Sequence, residues 1–346
     1  MSNIPNTDSF LSFSGWLFFY SYEMGEWVQI PWSKHQAKKH WCSLDLAKSI
    51  YPDKKLKFHK KKIPLIGGSI LILNILFLIL IEFIFRIKIF VFFQSLNEIF
   101  SFFLILLSFF ILGFYDDKYK IKPSYKFFFS ILISLFYIVI NNNILIKSFS
   151  LSIYEHRIFL ETFSVLFTVF CIIVLINSLN FFDGINGQLL IFFLLVFSYL
   201  LLKTNRYEFY VFIIIIILFC LFMNLKNQIF LGDNGVYVLS VILITSIIYE
   251  NNVYKNFAYA DEIFFLLLLP GIDLIRLTFL RLIKKKNPFY GDRNHIHHLM
   301  IKKYSLLITN TLLLLLSVLP IFLYNVFELN FYAIFSIFLV IYVLLI

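Results

Sequence analysis

Charge is what this chain has least of. Only 14% of its 346 residues are Asp, Glu, Lys or Arg, against 60% hydrophobic and 20% aromatic, and the mean hydropathy is +0.86. A soluble domain cannot cover that much apolar surface with so few charges. Cysteine is almost as scarce: Cys42, Cys171 and Cys220 stand apart, two of them inside apolar runs. That excludes a disulfide framework and the paired spacing of a zinc site, and leaves them as small apolar residues. Polar and apolar residues do not alternate, so the runs are not strands of a membrane barrel. No internal repeat relates two halves of the chain. Its absence weighs against a secondary transporter with intramembrane carboxylates, which stands as the alternative reading beside a non-catalytic assembly scaffold.

What the chain does have is a series of apolar runs, each near the ~20 residues that cross a bilayer as helix. Spans are expected at 63–85, 99–115, 125–146, 158–179, 189–202, 207–225, 236–249, 262–283, 304–324 and 331–346. A weaker one, 10–32, is aromatic but interrupted by Glu23 and Glu26, and no basic stretch of the signal-peptide kind precedes it. The expected fold is an all-α polytopic membrane protein of about ten to eleven transmembrane helices. Residues 1–51 form a poorly defined segment containing the weak span, and residues 52–346 form the integral membrane domain.

The connecting loops fall into two alternating sets. One set (52–62, 116–124, 180–188, 226–235 and 284–303) holds Lys54, Lys55, Lys57, Lys60, Lys61, Lys62, Lys118, Lys120, Lys122, Lys284, Lys285 and Lys286. By the positive-inside rule this set is cytoplasmic. The formal charge of +10 therefore reports orientation rather than nucleic-acid binding. The same set holds nearly every unusual polar residue, so charge bias and chemistry choose the same face.

The chain is organised around Gly113-Phe-Tyr-Asp-Asp117, where two carboxylates end a long apolar run. Asp116 and Asp117 can ligate a metal or accept a proton, or can be a solvated helix end balanced by Lys118 and Lys120. Farther on, Asn177, Asn180, Asp183 and Asn186 recur every third residue, with Gly184 and Gly187 beside them. Such a row suits a base or a sugar, and its plain alternative is an Asn- and Gly-rich helix terminus. In Phe230-Leu-Gly-Asp-Asn-Gly235, Asp233 is either a divalent-cation ligand or a helix cap. Asp273 and Arg276 lie i, i+3 in one span and can pair there. The densest polar loop, Pro288 to His298, brings Arg293, His295, His297 and His298, donors suited to phosphate. Zinc fits it less well, since there is no nearby Cys and no helical i, i+4 His pair.

Taken together these loops resemble the polyprenyl-phosphate N-acetylhexosamine-1-phosphate transferase superfamily, glycosyltransferase family 4. The matching stretches are Lys57 with His59, Pro64-Leu-Ile-Gly-Gly68, Gly113 to Asp117 through Ile121-Lys-Pro123, Asn180-Phe-Phe-Asp-Gly184, Leu231 to Gly235, and Pro288 to His298. The Asp-Arg-x-His-x-His-His form of the last is similar to the branch that makes lipid-linked sugars for surface polysaccharide, O-antigen or wall teichoic acid. The resemblance implies attack of undecaprenyl phosphate on a UDP-N-acetylhexosamine at the cytoplasmic face of the bacterial inner membrane, with Mg²⁺ or, in its place, Mn²⁺. It leaves room for a homodimer and implies no nucleic-acid partner. Carried over residue by residue, Asp116 would orient or deprotonate the lipid phosphate, with Asp117 as its acidic neighbour near the metal. Asp233 would be the leading metal ligand, with Asp117 the second. Asp183 and Asn180 would meet the nucleotide, with Asn186 beside them. Arg293, His295, His297 and His298 would hold the pyrophosphate or sugar, with His297 catalytic. Lys57, His59 and Lys122 would line the cleft. The chain departs from the family pattern Asp-Gly-x-Asp-Gly, because Asn186 replaces the second carboxylate.

Overall fold

The computed structural model describes residues 63–285 and 294–346 in full, and the backbone alone at Phe18–Ser21, Glu26–Gln29 and Ser49–Ile50. The chain divides into two compact units, Met1–Ile50 and Tyr51–Ile346.

In the first unit β1 (Phe18–Ser21) pairs antiparallel with β2 (Glu26–Gln29), Phe18 opposite Gln29 and Ser21 opposite Glu26, and β3 (Ser49–Ile50) follows. β1 and β2 fall inside the weak span expected at 10–32, and they are strand rather than helix. Phe, Tyr, Trp and Val favour strands, and Glu23 with Gly25 interrupts any apolar helix there.

The second unit is a helical bundle. Lipid offers no hydrogen bonds, so an apolar run closes its own as helix. After β4 (Ile63–Pro64) come α1 (Gly67–Phe85), α2 (Leu96–Tyr119), α3 (Pro123–Ile140), a hairpin of β5 (Ser148–Leu151) and β6 (Tyr154–Phe159), α4 (Ser164–Phe182), α5 (Gln188–Lys203) and α6 (Tyr207–Leu225). There follow α7 (Gly232–Asn252), α8 (Ala260–Leu266), α9 (Leu268–Ile283), the short α10 (Ile296–Met300), α11 (Leu306–Val326) and α12 (Phe331–Leu345). Among the described residues seven helices are long and apolar enough to cross a membrane. The pair α8 and α9, bent by 72°, makes an eighth candidate, and α5 and α12 are shorter apolar helices. Each strong apolar run of the sequence thus meets a helix or the bent pair. The bend falls just before Pro270, which has no N–H to continue the ladder. The chain is a polytopic, multi-pass membrane protein.

The core lies along α7, buried over nearly its whole length and packed by α2, α1 and α4. Close approach is possible because glycines face its first turn. A Cβ on Gly67 would stand 2.7 Å from the Leu231 Cα, and one on Gly113 would collide with the Asn234 backbone. Gly67 N donates to Phe230 O at 3.1 Å, and Gly68 N donates to Asn234 Oδ1 at 3.1 Å. The starts of α1, α3, α5, α7 and α11 and the ends of α2, α4, α6 and α9 therefore gather at one end of the bundle. At the opposite end buried acids are paired: Glu250 with Arg206 and Glu262 with Lys203.

Candidate active site

The centre is built where α2 ends and α7 begins. Leu231, at the N-cap position of α7, has no side-chain oxygen to close the first turn. Asp117 closes it from the neighbouring helix, Oδ1 accepting from Asp233 N and Oδ2 from Asn234 N, each at 3.1 Å. Gly232 makes room, with φ at +74° and its Cβ position 2.8 Å from Asp117 Oδ2. Asp117 thus uses both oxygens as a helix cap.

Its neighbour Asp116 points elsewhere. It is 7% exposed, accepts from Ile121 N at 2.8 Å, and forms an ion pair with Lys126. Lys126 also reaches Asp233 Oδ2 at 3.1 Å. Two carboxylates from different helices therefore converge on one ammonium. Asn180, near the end of α4, turns a buried Nδ2 toward Asp233.

A second cluster adjoins the first through Phe181. The His295 ring stacks on Phe181 at 5.7 Å and on His297 at 5.3 Å, while the buried Arg281 lies over the same Phe181 ring, its Cζ 5.3 Å from the centroid. His298 packs against His297 at 4.3 Å. His297 Nδ1 meets Gln188 Nε2 at 3.2 Å, and its Nε2 is buried without a partner. Its ring lies over Gly184, where any Cβ would strike it. Burial, with His298 and His295 alongside, pushes the His297 pKa well below its ordinary value, so the ring is neutral.

Some expected residues are placed differently. Asn177 bonds back to Ile173 O at 2.8 Å, and α4 ends at Phe182, so the row spaced by three residues does not continue on one helical face. Asp183 is exposed in the loop beyond. Asn186 ties that loop down, donating to Asn227 Oδ1 at 2.6 Å, with its carbonyl accepting from Asn310 Nδ2 at 2.9 Å. Lys122 is exposed at the start of α3. Lys57, His59 and Arg293 lie outside the described residues. Sequence reading missed Lys126, Gln188 and Tyr342. Lys126 did leave a signal, as the lone charge in α3.

No group of three or more His, Cys, Asp or Glu side chains among the described residues forms a ready metal cluster. Asp116 and Asp233 nevertheless meet at a single positive atom, and one or two carboxylates completed by phosphate oxygens are an ordinary donor set for a hard cation. The residues present fit such an ion.

Residues 99–251 match the model of glycosyl transferase family 4. The family match takes in Asp116, Asp117, Lys126, Asn180 and Asp233, and stops before Asp273 and the histidines. The chain is 27% identical, over 77% of its own length and 76% of the relative's, to an undecaprenyl-phosphate alpha-N-acetylglucosaminyl 1-phosphate transferase of Thermotoga maritima. It is 30% identical to a protein of the same description from Pasteurella multocida, over 30% of this chain and 31% of the relative.

Proposed function

We propose that this chain is a member of glycosyl transferase family 4 and acts as a polyprenyl-phosphate sugar-1-phosphate transferase. It moves an N-acetylhexosamine 1-phosphate, GlcNAc-1-phosphate first among the candidates, from the UDP-sugar to undecaprenyl phosphate. UMP leaves, and the lipid product is the first intermediate of a surface polysaccharide. The reaction runs at the cytoplasmic face of the bacterial inner membrane with Mg²⁺. The observation that carries this reading is the convergence of Asp116 and Asp233 on Lys126 at the end of the bundle where the histidines also gather.

A lipid phosphate oxygen attacks the phosphorus that bears the sugar. A new P–O bond forms, the P–O bond to the bridging oxygen breaks, and that oxygen leaves with UMP. The attacking monoester is already largely ionised at neutral pH, so the protein's main work is to bring anions together and stabilise charge. Lys126 is one of the cations for that work, held between the two acids. Asp116 and Asp233 would hold a divalent ion, which when bound supplies further neutralisation of the phosphates. Asp117, by capping α7, holds Asp233 in place. Asn180 brings a buried Nδ2 beside Asp233, a donor suited to a nucleotide oxygen. His295, His297 and His298 lie beyond Phe181 on the side suited to the pyrophosphate or sugar.

The test is release of UMP by membranes containing the protein, supplied with a panel of UDP-N-acetylhexosamines, polyprenyl phosphate and Mg²⁺. UMP should appear only when lipid phosphate and metal are both present, and Asp233→Ala should lower turnover by about a hundredfold or more. No UMP from any donor, or full turnover in Asp233→Ala, refutes the reading.

A further inference from the structure

Asp273 touches neither the carboxylate pair nor, directly, the site expected for phosphates, yet it is 2% exposed and heavily bonded. Its Oδ1 accepts from Arg276 Nη2 at 2.8 Å, from Tyr342 OH at 2.9 Å and from Ile296 N at 3.2 Å. Its Oδ2 faces His295 Nδ1 at 2.8 Å. Arg276 Nε also donates to the Tyr342 oxygen at 2.8 Å, which directs the phenol's own hydrogen to Asp273. A carboxylate already accepting from a guanidinium, a phenol and a backbone amide has no hydrogen to give. The hydrogen between Asp273 and His295 therefore sits on Nδ1.

We infer that Asp273 is a positioning residue for His295. It fixes the ring with Nδ1–H turned inward and Nε2 as the nitrogen that meets substrate, and Tyr342 on the last helix holds Asp273 to that task. The flat contacts of His295 with Phe181 and His297 stop the ring from turning over. A carboxylate that fixes an imidazole's tautomer through Nδ1 is a recurrent way of setting the chemistry at Nε2. A neutral ring held this way accepts a hydrogen from the substrate, and the same ring protonated donates to a phosphate oxygen. The inference rests on the transferase reading for its consequence in turnover, but not for its geometry.

Side-chain nitrogen NMR of the full chain in detergent, with isotope-labelled histidine and assignment by difference against His295→Gln, tests the geometry. At alkaline pH the wild type should show His295 as the Nδ1–H tautomer, and Asp273→Ala should return it to the commoner Nε2–H form. A wild-type His295 in the Nε2–H form, or a spectrum unmoved by Asp273→Ala, overturns the proposal. Because Asp273→Ala strips Arg276 of its partner and can unfold the chain, Tyr342→Phe and Asp273→Asn are measured beside it. Both should lower kcat for UMP release, Asp273→Asn by roughly 10- to 100-fold, with KM for the UDP-sugar little changed. Full kcat in both also overturns it. Should the wild type release no UMP, the transferase reading falls, while the tautomer measurement still decides the role of Asp273.

Discussion

Lys126 and His297 carry consequences that belong to single side chains. Removing the ammonium in Lys126→Met leaves Asp116 and Asp233 facing each other with no positive charge between them. Stripping one partner from a fully buried pair costs about 3–5 kcal/mol, and here the cost is smaller because Lys126 and Asp233 keep 23% and 31% of their side-chain exposure. Turnover should fall by about a hundredfold or more, with only a modest drop in melting temperature. Near-normal UMP release by Lys126→Met would show that the bridging cation is dispensable. The residue was legible in part. A lone lysine one turn into an apolar helix needs a partner, but sequence alone could not say that the partners lay 10 and 107 residues away. The histidine acts on stability. Its folded pKa is depressed from the ordinary 6.5, so below that pH the unfolded chain takes up a proton that the folded chain refuses. Stability from this residue is full above about 6.5 and is lost as pH falls below it. Melting temperature should decline on acidification through that range, less steeply in His297→Gln. Equal slopes would remove His297 as the cause.

At the level of elements, the start of α7 depends on a residue outside the helix. Leu231 cannot cap it, and the capping carboxylate is Asp117, 116 and 117 residues away from the two amides it satisfies. Sequence reading set Asp117 beside the metal because a pair of adjacent acids reads as ligands, and nothing local to Gly232–Gly235 announces a cap from another helix. The helices themselves were legible, because a bilayer enforces long apolar runs. The row of amides spaced by three residues was less so, since α4 ends at Phe182 and the remainder becomes loop. The cap makes a graded prediction. Asp117→Asn keeps one carbonyl acceptor where the carboxylate had two oxygens, and Asp117→Ala keeps none. Stability should fall in the order Asp, Asn, Ala, with about 0.5–2 kcal/mol lost at the far end of the series, because an acid there also complements the helix dipole. Hydrogen exchange at the Asp233 and Asn234 amides should speed up in the same order. Unchanged protection in Asp117→Ala would mean that other contacts hold the turn.

For the whole molecule, the sequence indicated both a helical bundle and a single chemically rich end, because loops on alternate sides separate cleanly once the runs are counted. What it could not resolve was 10–32, where aromatic residues satisfy hydropathy as readily as strand preference, and where β1 and β2 stand. Nor could it bring Tyr342 to Asp273, since nothing local links residues 69 apart. Orientation is the remaining question at this scale. Among the described residues the site end carries Lys118, Lys120, Lys122, Lys226, Lys284, Lys285, Lys302 and Lys303, and the far end Arg86, Lys88, Lys147, Arg157, Lys203, Arg206 and Lys255. The two sets are nearly equal, but Lys203 and Arg206 are neutralised by Glu262 and Glu250. In the sequence, six lysines at 52–62 directly precede β4, and Lys286 and Arg293 fall between α9 and α10. Lys and Arg near span ends are retained on the cytoplasmic side, so the site end should face the cytosol, where a soluble sugar nucleotide would be found. In a chain whose Cys42, Cys171 and Cys220 are replaced by Ser, a membrane-impermeant maleimide applied to intact spheroplasts should label Lys88→Cys and spare Lys226→Cys until the membrane is permeabilised. Both positions are exposed in the fold, so failure to label reflects the membrane barrier and not burial. The reverse pattern would put the carboxylate pair on the outer face, away from cytosolic sugar nucleotides, and would remove the topological basis of the transferase reading.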